Sequence, residues 1–308
     1  MKLPLQDTSL AQLISRIPVL ENISSVEKIN GGLTNTNYRV ETASGNYFLR
    51  ISDQSSSLLG INRENERINT AKAYEAGLGA KLIAAYPELN AMVLQWVNAN
   101  TIHEADIHHK AGLVNRIATA LKKLHSSSSF TGEFYFPLVR KKYLETVLAN
   151  NYSIPAEYLQ LQPLIIALEN QLAINPEPFV PCNNDLLAEN FMDDGDKIWI
   201  IDYEYAGQNE ASFEIGNLAN EINLSESELI IFCDAYWQQH LPAKIARAKA
   251  WSVIARYGWT LWASIQEAIS PINFNFWEWG LKKWNAALKD LQSENYNNIL
   301  DNLKKYDS

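Results

Sequence analysis

Only two cysteines, Cys182 and Cys233, occur among 308 residues. That number excludes a disulfide framework and a Cys-x-x-Cys zinc site, so the fold must rest on its core, and a reducing cytoplasm is the compartment it suits. Basic residues are the scarcer charge: 26 Lys and Arg against 35 Asp and Glu leave a net charge of −9. A duplex-wide nucleic-acid surface needs clustered cations that this chain lacks, and a cationic partner is electrostatically easier. No stretch reaches the roughly 20 apolar residues of a membrane span. The opening twenty residues are broken by Gln6, Asp7, Gln12, Ser15 and Arg16, so no secretory leader is expected. Neither common glycine fingerprint for nucleotides is present: Gly31-Gly32 precedes a strand rather than a helix with Lys-Ser/Thr, and no Gly-x-Gly-x-x-Gly occurs.

What is present is ordinary for a folded protein, 47% hydrophobic and 20% charged. From Val26 to Ile51 the pattern reads as a three-strand meander with turns at Gly31-Gly32 and Ser44-Gly45. A helix over 63–74 stops at Gly77 and Gly79, and two further strands follow over 81–85 and 91–97. Beyond Val97 the character becomes helical, with segments over 105–125, 141–150 and 157–174. A second β patch spans 185–202, and helices resume from Glu226 with breaks at Pro242 and Pro271. The expectation is a two-lobed α+β fold divided into residues 1–97 and 98–308.

Several constellations point to phosphoryl transfer. Gly31 and Gly32 sit in a small-residue hairpin whose amides suit phosphates, although turn chemistry alone explains them as readily. Arg50 ends the third strand and Glu66 lies on the next helix; a strand cation held by a helix carboxylate is how kinases position ATP phosphates, and a pair of surface charges is the plainer reading. The segment Cys182-Asn183-Asn184-Asp185-Leu186-Leu187-Ala188-Glu189-Asn190 is followed by the apolar strand that ends in Asp202. An Asp, an Asn five positions on and a second Asp closing a strand form an ordered set: Asp185 to orient a hydroxyl and take its proton, Asn190 and Asp202 to hold Mg²⁺, a hard cation that prefers oxygen.

Six of nine tryptophans fall within 251–284. A quaternary ammonium has no N–H to donate, so aromatic faces and a carboxylate must hold it. Trp259 and Trp262 lie three apart on one helix, and Phe276 and Trp279 repeat that spacing on the next. Trp277, Leu281, Trp284, Leu288 and Leu291 read instead as a core stripe. His103, His108 and His109 lack a spaced partner set and read as surface or cap residues, and 301–308 as a frayed polar end.

Taken with Ile201-Asp202-Tyr203-Glu204-Tyr205-Ala206-Gly207 and Phe213-Glu214-Ile215-Gly216-Asn217-Leu218-Ala219-Asn220-Glu221, the Asp185 block resembles the choline/ethanolamine kinase family, within the aminoglycoside phosphotransferase and protein-kinase-like group. The resemblance implies a protein-kinase-like fold and an ATP- and Mg²⁺-dependent transfer to choline or a close amino alcohol. It implies Asp185 as catalytic base, Asn190 and Asp202 as Mg²⁺ ligands, Arg50 as phosphate cation and Glu66 as its partner. Gln95 and Val97 match the hinge whose backbone meets adenine. Trp259, Trp262, Phe276 and Trp279 coincide with the family's aromatic box, with Tyr205 and Glu221 as its remaining wall and carboxylate. Three departures stand out: Asn183 replaces the usual His, Glu214 the usual Asp, and Phe276 and Trp279 replace tyrosines. Other acceptors (ethanolamine, thiamine, homoserine, an aminoglycoside) remain open, as does a catalytically dead relative that only binds.

Overall fold

The computed structural model describes residues 8–30, 32–53 and 58–307; Gly31 lies outside them. After helix α1 (Thr8–Ile14) come strands β1 (Ile23–Ile29), β2 (Asn35–Thr42) and β3 (Gly45–Ser52), helix α2 (Arg63–Glu75), and strands β4 (Leu82–Tyr86) and β5 (Ala91–Gln95). The strands form one antiparallel sheet in the order β1-β2-β3-β5-β4. Strand alternation separates its faces: Val26, Tyr38, Val40, Leu49 and Val93 pack under α1 with Leu10, Ile14 and Ile17, and Arg50, next to Leu49, points the other way. Asn62 caps α2, its Oδ1 accepting from the Glu64 and Asn65 amides, which fixes the turn carrying Glu66.

The rest is mainly helical. The short strand β6 (Asn100–Thr101) leads to α3 (Glu104–His109), α4 (Leu113–His125), α5 (Phe136–Ala149) and α6 (Tyr158–Leu172). Four short strands follow: β7 (Phe179–Cys182), β8 (Phe191–Asp193), β9 (Ile198–Ile200) and β10 (Gly207–Glu210). They pair as β6-β8-β9 and β7-β10. Helices α7 (Ala211–Glu221), α8 (Glu226–Trp237), α9 (Pro242–Ile269), α10 (Phe276–Leu291) and α11 (Glu294–Asp307) complete the chain. Pro242 sits in the first turn of α9, where its missing N–H costs nothing. Most of α9 is buried, as a helix apolar on every face must be, and it packs against α5, α6, α7, α10 and α11.

The two-lobed α+β architecture expected from the sequence is the one observed. Three local expectations are corrected. The segment 105–125 is two helices, because Gly112 takes a left-handed conformation, φ 79°, and turns the chain between α3 and α4. The last residues are not a frayed end: α11 reaches Asp307 and buries Tyr296, Ile299 and Leu303 against α6 and α9. Trp277 is half-buried and lies outside the core cluster; it begins the exposed first turn of α10, where its amide donates to Glu267. Trp284 is core, as expected.

One packing detail carries a prediction. A Cβ built on Gly216 meets the Ala248 carbonyl oxygen at 2.3 Å and the Ser252 nitrogen at 2.9 Å, so α7 and α9 touch backbone to backbone there. Gly216→Ala is expected to cost about 3 kcal/mol, read as a fall in the urea midpoint; an unchanged midpoint would mean that the helices separate freely.

Candidate active site

Between the sheet and the helices lies a cleft of about 1090 Å³. Its floor is the irregular chain between β7 and β10, held by hydrogen bonds that cross the two motif blocks. Asn183, fully buried, donates from Nδ2 to the carbonyls of Ile201 (3.2 Å) and Asp202 (2.8 Å) and accepts the Asp185 amide on Oδ1 at 3.1 Å. One amide side chain therefore braces both acidic segments, which answers the question raised by the missing histidine. Asn190 donates to the Asp185 carbonyl at 2.6 Å, leaving its side-chain oxygen as the atom for another partner. Asn184 and Asp202 have positive φ, 68° and 62°, and Asn and Asp are the residue types that tolerate this region. Local strain of this kind re-aims side chains at functional sites.

Asp185, Asn190 and Asp202 all line the cleft. Burial pushes the Asp185 carboxyl well above the usual range, and the neighbouring charges of Glu204, Glu221 and Asp202 push it further, against Lys283. A carboxylate in that setting favours proton uptake. Arg50 and Glu66 stand behind this wall, both nearly inaccessible: the guanidinium bridges Glu66 (2.7 Å) and Asp202 (2.8 Å). Burial lowers its basicity, yet Asp202, Glu66 and Glu204 outweigh it and the net shift is upward.

Two residues given no role in the sequence reading complete this cluster. Arg63 donates to Glu66 (2.7 Å), Glu204 (3.1 Å) and Asn35 (3.1 Å). Glu204 also accepts from Thr34 (2.6 Å) and Asn35 (2.8 Å), so the segment after Asp202 holds the β1–β2 hairpin. Burial and Asp202 raise the Glu204 carboxyl, opposed by Arg50 and Arg63. Gly32 lines the cleft, and any Cβ there would lie 2.5 Å from the Asn35 carbonyl. The turn is fixed from the far side too, by the Gln266 amide on the Leu33 carbonyl at 2.9 Å.

Gln95 and Val97 are remote from the acidic wall. Tyr47 pairs with Gln95, and the Trp96 amide donates to the Asn46 carbonyl, so Val97 is the first residue beyond the ladder. The Gln95 side chain is exposed and lines a separate surface hollow with Arg39 and Trp96, whose ring lies 4.9 Å from the Arg39 guanidinium carbon.

At the opposite end the cleft is aromatic. Tyr205, Trp259, Trp262, Trp279 and Glu221 line it. Trp262 Nε1 donates to the Tyr205 hydroxyl and Trp259 Nε1 to Asn217, both at 2.8 Å. With these N–H groups satisfied, the rings are fixed edge to face, Tyr205 on Trp259 at 5.6 Å and Trp259 on Trp262 at 6.4 Å. Trp279 meets Trp262 at 5.3 Å. Phe276 is not part of this wall: it is 1% exposed and packs behind Trp262 at 5.9 Å. Lys283, on α10, was also unforeseen. Its Nζ lies 2.8 Å from each Glu221 oxygen and 4.3 Å from the Trp279 ring centroid.

Residues 26–288 match the model of the choline/ethanolamine kinase family. The chain belongs to this family. It is 27% identical to the probable ethanolamine kinase of Arabidopsis thaliana, over 87% of this chain and 80% of that one. Among solved structures it is similar to a choline/ethanolamine kinase family protein from Mesorhizobium loti, with a TM-score of 0.83, 26% identity and coverage of 96% and 97%. The choline kinase LicA from Streptococcus pneumoniae is also similar, with a TM-score of 0.79, 26% identity and coverage of 92% and 98%. The protein is thus a kinase-like ATP:alcohol phosphotransferase with a protein-kinase-like fold, acting on a choline-like small alcohol.

A further set of contacts, made by Glu214 behind the Asn184–Asp185 segment, escaped the sequence reading. Glu214 accepts the Asn184 amide at 2.6 Å, and its other oxygen lies 2.5 Å from His125, which contacts the Tyr236 hydroxyl at 2.6 Å. The His125 ring also lies 3.7 Å from the buried Cys182 sulfur. The longer Glu214 reaches both the loop and His125 from α7, so the departure from Asp has a structural use. His125 ends a helix in a run of ordinary amphipathic pattern, and its only sequence signal was an apolar register that a histidine interrupts. His108, expected at the surface, is partly buried and links α3 to Glu228 and the Ile222 carbonyl.

Proposed function

We propose that this protein transfers the γ-phosphate of ATP to the hydroxyl of choline, giving phosphocholine, with residues 1–97 holding the nucleotide and 98–308 supplying the catalytic loop and acceptor pocket. The observation that carries the acceptor reading is the aromatic end of the cleft, lined by Tyr205, Trp259, Trp262 and Trp279 together with Glu221. A methylated cation needs that chemistry, whereas a primary ammonium asks for several hydrogen-bond acceptors. Phe276 supports the wall through Trp262.

In this reading Asp185 accepts the proton of the attacking hydroxyl, and its carboxylate orients that oxygen toward the phosphoryl group. Gly32 brings a hairpin amide over the phosphates, and Arg50, kept in place by Glu66, places positive charge beside them. The backbone at Gln95 and Val97 meets the adenine. The donor set suits Mg²⁺: Asp202 has one oxygen free of Arg50 and Asn190 keeps its amide oxygen, both hard ligands on the cleft wall. When bound, such an ion neutralises phosphate charge. ATP supply and two buried, free cysteines suit the cytoplasm.

The test is ADP release with choline and ethanolamine as paired acceptors. The expected result is a kcat/KM for choline at least about tenfold above that for ethanolamine, since aromatic rings dominate that end of the cleft. The reverse order would move the acceptor to ethanolamine, and ADP release with neither would remove both.

A further inference from the structure

The seat that an acceptor's ammonium needs is already filled from within the chain. Lys283 Nζ is shared equally between the Glu221 oxygens and stands over the Trp279 ring. Neither partner is solvated, with side-chain exposures of 10% and 5%. The same ammonium is the cation acting on Asp185, against three carboxylates. We propose that Lys283 is a built-in occupant of the acceptor's cation seat, exchanged for the incoming ammonium, and that this exchange sets acceptor affinity. The proposal rests on the acceptor site assigned above.

The argument is one of charge balance in a desolvated place. Removing Lys283 from Glu221 with nothing in return leaves a buried carboxylate unpaired and deprives Asp185 of its counter-charge, which is strongly unfavourable. A quaternary ammonium entering as Lys283 withdraws restores one positive charge at the same ring and the same carboxylate. A neutral alcohol of equal shape restores none. The cost of emptying the seat falls on both acceptors alike, so charge selectivity comes from the restored pairing with Glu221 and from the aromatic faces. Lys283 has a route out: it lines the cleft next to Lys282 and Ala286, where α10 meets solvent, and a four-carbon stem can swing its head to water. Affinity then equals the intrinsic affinity reduced by the fraction of time the seat is vacant.

The experiment compares wild type with Lys283→Met, which keeps the length and removes the charge, and Lys283→Gln, which still donates to Glu221. The probes are choline, its uncharged isostere 3,3-dimethylbutan-1-ol, and tetramethylammonium titrated by calorimetry without nucleotide. Choline KM and tetramethylammonium Kd are expected to fall about tenfold in both variants, the change for a seat vacant about a tenth of the time. The isostere is expected to tighten by a similar factor, because it too finds the seat empty, while remaining weaker than choline in every variant, and Lys283→Arg to retain the weaker wild-type constants. Thermal unfolding of each variant confirms a folded protein, and Lys283→Gln serves if Met at this position does not fold. Choline-dependent turnover by wild type with unchanged or weaker cation binding in the Gln variant overturns the exchange and leaves the acceptor assignment standing. Absence of both choline turnover and tetramethylammonium binding in wild type overturns the acceptor assignment, and the exchange with it.

Discussion

Asp185→Asn is expected to lower kcat about a thousandfold, the loss that follows removal of a well-placed general base, while the folded protein becomes slightly more stable. Both halves come from one feature. The carboxylate sits in a cleft wall with Glu204, Glu221 and Asp202 acting on it, and burial adds to their repulsion, so the ionised form is held at a cost. An amide of the same shape removes that charge and leaves the backbone bonds to Asn183 and Asn190 untouched. The sign follows from linkage: a carboxyl whose folded-state proton affinity is raised destabilises the fold once it ionises, and an amide cannot ionise. A gain of about 1 kcal/mol corresponds to a rise of roughly 2 °C in Tm. ADP release and thermal unfolding on the same preparations check the pair. Near-wild-type turnover would remove Asp185 from its role, and a large loss of Tm would make the residue structural.

Arg50→Met carries the second large effect and moves the opposite way in stability. The guanidinium joins β3, α2 and the Asp202 segment, and both its partners are carboxylates. Removing it leaves Glu66 dependent on Arg63 alone and frees Asp202 to turn. Breaking a buried pair by deleting one partner costs about 3 kcal/mol, read as a lower urea midpoint. The KM for ATP is expected to rise at least about tenfold, with kcat/KM for ATP falling about a hundredfold or more, because phosphate charge loses its fixed partner. Arg50→Lys separates the two causes: it keeps the charge, restoring part of the ATP affinity, while its shorter reach weakens the bridge that the single Nη1 of Arg50 makes to both carboxylates. Unaltered ATP kinetics in Arg50→Met would show that the phosphates lie elsewhere.

The sequence reading reached furthest where chemistry is local. The β-meander was legible from its turns, and the Asp185 and Asp202 blocks from ordered residues within short segments. Asn183 was legible as a departure, and its amide makes three bonds, two donated and one accepted. What escaped is pairing over long separations. Arg63 reads as an ordinary charge opening a helix, and only the fold brings Glu204, 141 residues on, to its side. Lys283 lies in a Lys-Lys pair whose first member is exposed; the second is turned inward by α10 packing on α9, which periodicity alone does not reveal. Phe276 and Trp279 share a three-residue spacing, yet one backs the wall and the other forms it, because Gly280 lets α10 lie so close to Ala263 that the Phe276 side is sealed. Gly112 and the buried end of α11 were missed for the same reason: a single glycine and three spaced apolar residues weigh little until partners exist.

The Asn183 brace has a consequence for how this enzyme meets changes in acidity. A carboxamide neither gains nor loses a proton across the physiological range, whereas an imidazole in the same place would switch its donors and acceptors near neutrality. The alignment of the two motif segments across this link is therefore indifferent to acidification, and any pH response of the enzyme must arise in groups other than this clasp.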